Sequence, residues 1–232
     1  MKKISLLLAA VVVVALSANA QKNKIKIETE YGNIVLMLYD NTPLNTNNMV
    51  KMANEHFYDS TLFHRCIPQF VIQGGDPESK QAKPGQALGN GGLGTTIPAE
   101  INDVAFHKRG AVGVAREQTP DKSGSPCQFY LVTGKTFTDA ELDSKSKRSG
   151  RNYTAEQREI YKTIGGTPDL DGNYTVFGEV IEGMDVVEKI SAEPVDPNDR
   201  PNKDIRMIKV RVISKEKFLD KVKGVFKKKE KK

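Results

Sequence analysis

Cysteine, histidine and tryptophan are scarce in this 232-residue chain, at two, three and none. Cys66 and Cys127 lie far apart without the Cys-x-x-Cys or Cys/His spacing that zinc requires, so neither a metal site nor a disulfide framework organises the chain. Two readings of the pair stay open, a single bridge or two separate buried small hydrophobes. Among the histidines, His56 and His107 offer no triad or metal partners, and His64 is expected to serve a structural hydrogen-bonding role. No cofactor or metal is called for. Apolar runs of membrane length are also missing: the stretch from Ile4 to Leu16 falls short of the roughly 20 residues that a spanning helix needs.

Charge of one sign is missing from the body of the chain. The formal net charge is +6, but residues 215–232 hold nine lysines against Glu216, Asp220 and Glu230, so the part between the first twenty residues and this tail is close to neutral. A basic surface for nucleic acid is therefore not expected, and the tail lacks the interleaved stacking aromatics that single strands require.

What is present begins with an export signal. Met1-Lys2-Lys3, the apolar run and Ser17-Ala18-Asn19-Ala20 form a charged start, a hydrophobic region and an Ala-x-Ala cleavage site, so residues 1–20 are read as a signal peptide. An uncleaved anchor is the alternative. The expected location is outside the cytoplasm, periplasmic or secreted. The remaining chain, 38% apolar and 28% charged overall, suits one globular domain able to bury a core.

Lys24–Thr29 alternates at period two, and Tyr31-Gly32-Asn33 leads into a second apolar run, Ile34–Tyr39, which predicts a β-hairpin. Asn45–His56 spaces Met49, Val50, Met52 and Ala53 as an amphipathic helix, with Thr42 or Asn45 as its cap. Short β-prone segments follow at 61–67, 70–73, 110–115, 128–132, 174–180 and 205–213, separated by Gly/Pro-rich turns. Pro84–Gly94 is glycine-rich but lacks the Gly-Lys-Ser/Thr ending of a phosphate loop, and reads as a tight surface loop. Residues 135–168 turn polar and read as an insertion, with Thr154-Ala-Glu-Gln opening a helix. Glu182–Ile190 predicts a further short helix. The domain is expected to run over 24–213, followed by a tail at 214–232.

The most informative stretch is Phe63-His64-Arg65-Cys66-Ile67-Pro68-Gln69-Phe70-Val71-Ile72-Gln73-Gly74-Gly75-Asp76. It sets a cation, an aromatic and an amide on neighbouring strands. Gly110–Ala115 with Arg116, then Cys127–Val132, then Leu170–Val180 follow in order. These four segments together resemble the cyclophilin-type peptidyl-prolyl cis-trans isomerases, over roughly Ile25 to Ile213. The resemblance implies a mainly β fold, a closed eight-stranded antiparallel barrel capped by two helices, with the substrate in a groove on its outer face. To this the sequence adds a helical insertion and a basic C-terminal helix. A filled barrel interior leaves no room for a ligand, which agrees with a surface groove.

The implied reaction is rotation about an X-Pro bond in another polypeptide, against a barrier of about 18–20 kcal/mol. An acceleration of about five orders of magnitude requires roughly 7 kcal/mol of preferential transition-state binding. In the resemblance Arg65 and Gln73 are the catalytic residues. Phe70, Val71, Tyr130 and Leu170 enclose the proline ring, with Ala115, Arg116, Gln128 and Tyr174 completing the substrate site. Val71 and Tyr130 stand where a Met and a Phe are common, which keeps the pocket apolar. Asp169 replaces the family's frequent Trp or His, and Tyr174 a frequent His, so with no Trp in the chain strong cyclosporin binding is not expected. The partners expected are proline-containing polypeptides met by a monomer. The rival reading is a noncatalytic proline-peptide-binding chaperone using the same groove. Phe218, Leu219, Val222, Val225 and Phe226 form one apolar stripe among the lysines of Lys215–Lys232, read either as weak contact with anionic membranes or as a solvated extension.

Overall fold

The computed structural model describes residues 24–213. The export signal and the basic tail expected from the sequence lie outside these residues.

Eight antiparallel strands form one curled sheet: β1 (Lys24–Thr29), β2 (Gly32–Leu38), β3 (Phe63–Ile67), β4 (Val71–Gly74), β5 (Ala111–Val114), β6 (Phe129–Val132), β7 (Val176–Glu182) and β8 (Lys209–Val212). Their order across the sheet is β3-β4-β6-β5-β7-β2-β1-β8. The expected closed barrel is corrected to a half-barrel, because no strand ladder joins β3 to β8. The chain just before β8 meets the start of β3 instead, at the isolated bridge Leu62↔Arg206 and through Phe63 N–H to Ile205 O at 2.9 Å. The sequence pattern of 205–213 is continuous, but only its second half pairs as a strand with β1.

Strand alternation sorts the side chains into two cores. Ile25, Ile27, Ile34, Leu36, Ile72, Val112, Leu131 and Phe177 point inward. Over this interior sit α1 (Pro43–Asn54), through Met49, Met52 and Ala53, and α4 (Met184–Ser191), through Val186, Val187 and Ile190. These are the two capping helices. The predicted cap of α1 is corrected: Thr42 makes no side-chain cap bond, and the carboxylate of Glu100 instead accepts from the backbone N–H groups of Leu44 and Asn45, both at 2.9 Å. A carboxylate at a helix N-terminus satisfies orphan donors and meets the positive end of the dipole. Being 55 residues away, it carries no local sequence signal.

The predicted insertion forms two helices, α2 (Asp139–Ser149) and α3 (Ala155–Thr163), each opened by a reciprocal capping box, Thr138/Glu141 and Thr154/Gln157. The hairpin packs a small core of its own from Phe137, Leu142, Tyr153 and Tyr161 with Phe106. Both cysteines are free and buried, and burial pushes the Cys66 thiol up to about 12.

Candidate active site

The outward face of the sheet carries the second apolar cluster, Val71, Ala111, Ala115, Tyr130, Val132 and Val176, with Phe70, Leu170 and Tyr174 packed against it. Its central row follows from strand register. Arg65 pairs with Gln73, Gln73 with Tyr130, and Tyr130 with Gly113, so one rung across β3, β4, β6 and β5 sets a cation, an amide, an aromatic and a glycine side by side. Neighbouring strands lie about 4.8 Å apart. The pairing of Arg65 with Gln73 depends on a register shift between Phe63 and Arg65, which re-aims the strand at this point.

A groove of about 660 Å³ lies over this rung, and all ten residues singled out in the sequence line it. The apolar slot is made by Phe70, Val71, Tyr130 and Leu170. Tyr174 meets Tyr130 edge-on, with ring centroids 6.2 Å apart. Gly113 is required beneath it: a Cβ there would fall 2.2 Å from the Tyr130 ring.

The polar side is held differently. Arg65 is 42% exposed, and its Nε donates to Asp199 at 3.3 Å, a bond that leaves the terminal amines of the guanidinium uncommitted to that carboxylate. Gln73 Nε2 donates to Gln128 Oε1 at 2.9 Å, while Gln128 Nε2 donates to the carbonyls of Gly89 at 2.9 Å and Gly91 at 2.7 Å. Two carbonyl partners fix the orientation of the Gln128 amide, so its oxygen must face Gln73. Arg116 turns its side chain away from a direct substrate role: Nε donates to Asn173 O at 2.7 Å, and its guanidinium lies 4.6 Å from the centre of the Tyr174 ring. It ties the loop after β5 to the segment carrying Tyr174.

Sequence reading missed three things here. The second half of the Pro84–Gly94 stretch, read only as a tight surface loop, continues through Thr96 as a rim of the groove, held down by Asp76, whose carboxylate accepts from Gly89 N–H at 2.6 Å and Gly91 N–H at 3.2 Å. His107, read as lacking partners, is bracketed by two: Nδ1 lies 2.7 Å from Asp171 Oδ1 and Nε2 lies 2.8 Å from Tyr130 Oη. His64, read as hydrogen-bonded, is buried with only a marginal contact to the Leu62 backbone, and desolvation lowers its pKa to about 4. Asp169, the departure beside Leu170, is engaged by Lys145 and Arg148 of α2.

Comparison with known proteins agrees with this geometry. Residues 24–212 match the family described as cyclophilin type peptidyl-prolyl cis-trans isomerase/CLD. A Staphylococcus saprophyticus protein with a provisional peptidyl-prolyl cis-trans isomerase name is 32% identical over 84% of this chain and 94% of its own. Peptidyl-prolyl cis-trans isomerase-like 1 of Neurospora crassa is 31% identical over 83% and 95%. A bifunctional phosphatase/isomerase homologue of Streptococcus pyogenes is 32% identical, but this chain spans only 37% of its length. In fold, the chain is similar to a cyclophilin of Cryptosporidium parvum crystallised in the presence of the dipeptide Ala-Pro, with a TM-score of 0.60 and 24% identity over 82% of this chain and 99% of that one. A groove on the outer face of an eight-stranded sheet, a matching family over nearly the whole described region and relatives of that name converge on one conclusion: this chain belongs to the cyclophilin-type peptidyl-prolyl cis-trans isomerases.

Proposed function

We propose that the groove over the Arg65–Gln73–Tyr130–Gly113 rung is where X-Pro bonds rotate, and that the polypeptides served are exported ones. The observation that carries the site is the meeting of one accessible guanidinium, one oriented amide pair and one apolar slot in a single groove. Its residues suit a short proline-containing segment, and the Cryptosporidium parvum relative was crystallised in the presence of such a dipeptide.

In this reading the proline ring enters the slot between Phe70, Val71, Tyr130 and Leu170. Gln73 and the backbone of Arg116 hold the preceding residue and the flanking chain. When the amide twists, its nitrogen regains a lone pair and becomes pyramidal, and Arg65 donates to it a hydrogen bond that the planar ground state cannot accept. One end of the bond is held while the other turns, and no covalent bond breaks. The tie from Asp199 to Nε orients the guanidinium without occupying its terminal amines.

Protease-free isomerisation of a proline tetrapeptide tests this. Arg65→Ala is expected to lower kcat/KM by about a hundredfold or more, the usual scale for removing a preorganised donor. Activity equal to wild type would remove Arg65 from the mechanism. The exported setting rests on residues 1–20, whose expected processing after Ala20 is read by N-terminal sequencing of the protein recovered from cells. An intact Met1 would overturn it.

A further inference from the structure

Four buried polar groups link the inserted helical hairpin to the floor of the groove. Tyr130 Oη lies 2.8 Å from His107 Nε2; His107 Nδ1 lies 2.7 Å from Asp171 Oδ1; Tyr161 Oη lies 2.5 Å from Asp171 Oδ2. The backbone N–H of His107 also donates to Asp171 Oδ1 at 2.8 Å. Side chains of His107 and Asp171 are each 1% exposed. A carboxylate only accepts, so Nδ1 carries a proton toward Asp171, and Nε2 is the ring atom left to face Tyr130. Burial holds the Tyr130 phenol well above its ordinary pKa, so Tyr130 keeps its proton and its hydroxyl shares one hydrogen bond with Nε2. The rings of His107 and Tyr130 also stack, 5.9 Å apart and 18° from parallel.

The far end of the chain of contacts is rigid. Tyr161 stands on α3 with Phe106, Phe137 and Tyr153 set edge-on around it at 5.4, 6.3 and 5.6 Å. Residues 134–137 and 165–167 are laced by backbone bonds, with Thr167 N–H to His107 O at 2.8 Å. Gly166 allows this approach, since a Cβ there would meet His107 O at 2.2 Å. The inserted hairpin is therefore coupled to the one slot wall that carries a hydroxyl.

We infer that Tyr161, Asp171 and His107 are positioning residues for X-Pro rotation, through which the insertion sets the orientation of the Tyr130 ring against the substrate proline. The inference rests on the groove being the substrate site. None of the three touches substrate. Each acts through Tyr130, whose hydroxyl gives the ring a second fixed point that a phenylalanine would lack.

The test is a double-mutant cycle on full-length protein, in the tetrapeptide isomerisation assay below the unfolding temperature of every variant. Tyr161→Phe keeps the aromatic packing and removes one hydrogen bond 10 residues from Asp171 in sequence. It is expected to lower kcat/KM about fivefold to tenfold, mainly in kcat, with KM shifting less than threefold. Tyr130→Phe is expected to do the same, and the double variant to lose no more than Tyr130→Phe alone. A merely structural Tyr161 would lower the unfolding temperature and leave kcat unchanged. Wild-type kcat/KM in Tyr161→Phe or Tyr130→Phe, or losses that multiply in the double variant, would overturn the inference. Arg65→Ala run alongside separates the failures: full activity there sinks the site reading and this inference together, whereas a large loss there beside an unaffected Tyr161→Phe sinks the inference alone.

Discussion

The two ends of the groove are held by opposite means. At the Arg65 end, a half-exposed guanidinium is tied to a half-exposed Asp199, an arrangement worth about 0–1 kcal/mol, while the adjacent His64 is buried. At the Tyr130 end, four polar groups satisfy one another in a site shut off from water, where hydrogen bonds are strong and losing one is costly. The contrast shows how differently the two ends are held: on the proposed reading, the slot for proline is set by buried hydrogen bonds, and the guanidinium is oriented by one half-exposed ion pair.

Acid breaks the comparison at its weakest point. His64 folds neutral with its pKa lowered to about 4, against about 6.5 when unfolded, chiefly through desolvation, with the Asp76 charge working the other way. Below pH 6.5 the unfolded chain binds a proton that the folded one does not, so stability falls as the pH drops toward 4. The expected loss attributable to His64 is on the order of 3 kcal/mol. Urea unfolding of wild type and His64→Leu at pH 7, 5.5 and 4.5 measures it: the gap between the two should change with pH in favour of the variant, and a constant gap would mean that His64 does not titrate between its folded and unfolded values.

A smaller effect probes the fixed end. Gly113→Ala forces a methyl into the Tyr130 ring, with an expected cost of about 2 kcal/mol in stability, within the range for overpacking. A fall in kcat/KM of about tenfold should accompany it. A destabilised variant with unchanged turnover would show that the Tyr130 wall need not be fixed. The smallest effect belongs to the exposed Arg65 end. Asp199→Asn should change stability by less than about 1 kcal/mol and kcat/KM by less than threefold. A loss matching that of Arg65→Ala would show instead that this one exposed ion pair is as necessary as the guanidinium itself, and the contrast between the two ends would fail.

The ten groove residues were legible because cyclophilin-like segments carry them in order, and strand alternation alone sends Val71, Gln73 and Tyr130 to the face opposite Ile72 and Leu131. His107 was not, because its partners lie 23 and 64 residues away and no local period brings them together. The Glu100 cap on α1 and the Gly89–Thr96 rim escaped for the same reason.

By itself the sequence determined most of the strands and the inserted helix opened by Thr154 and Gln157, since period, caps and turn residues act over a few positions and are written where they act. Only the tertiary structure decided that the sheet stays open between β3 and β8, that Arg65 meets Gln73 through a register shift, and that Tyr161 reaches the floor of the groove. Each of these depends on which distant backbone or side chain arrives within about 3 Å, and hydrogen bonds at that range are decided by packing in three dimensions.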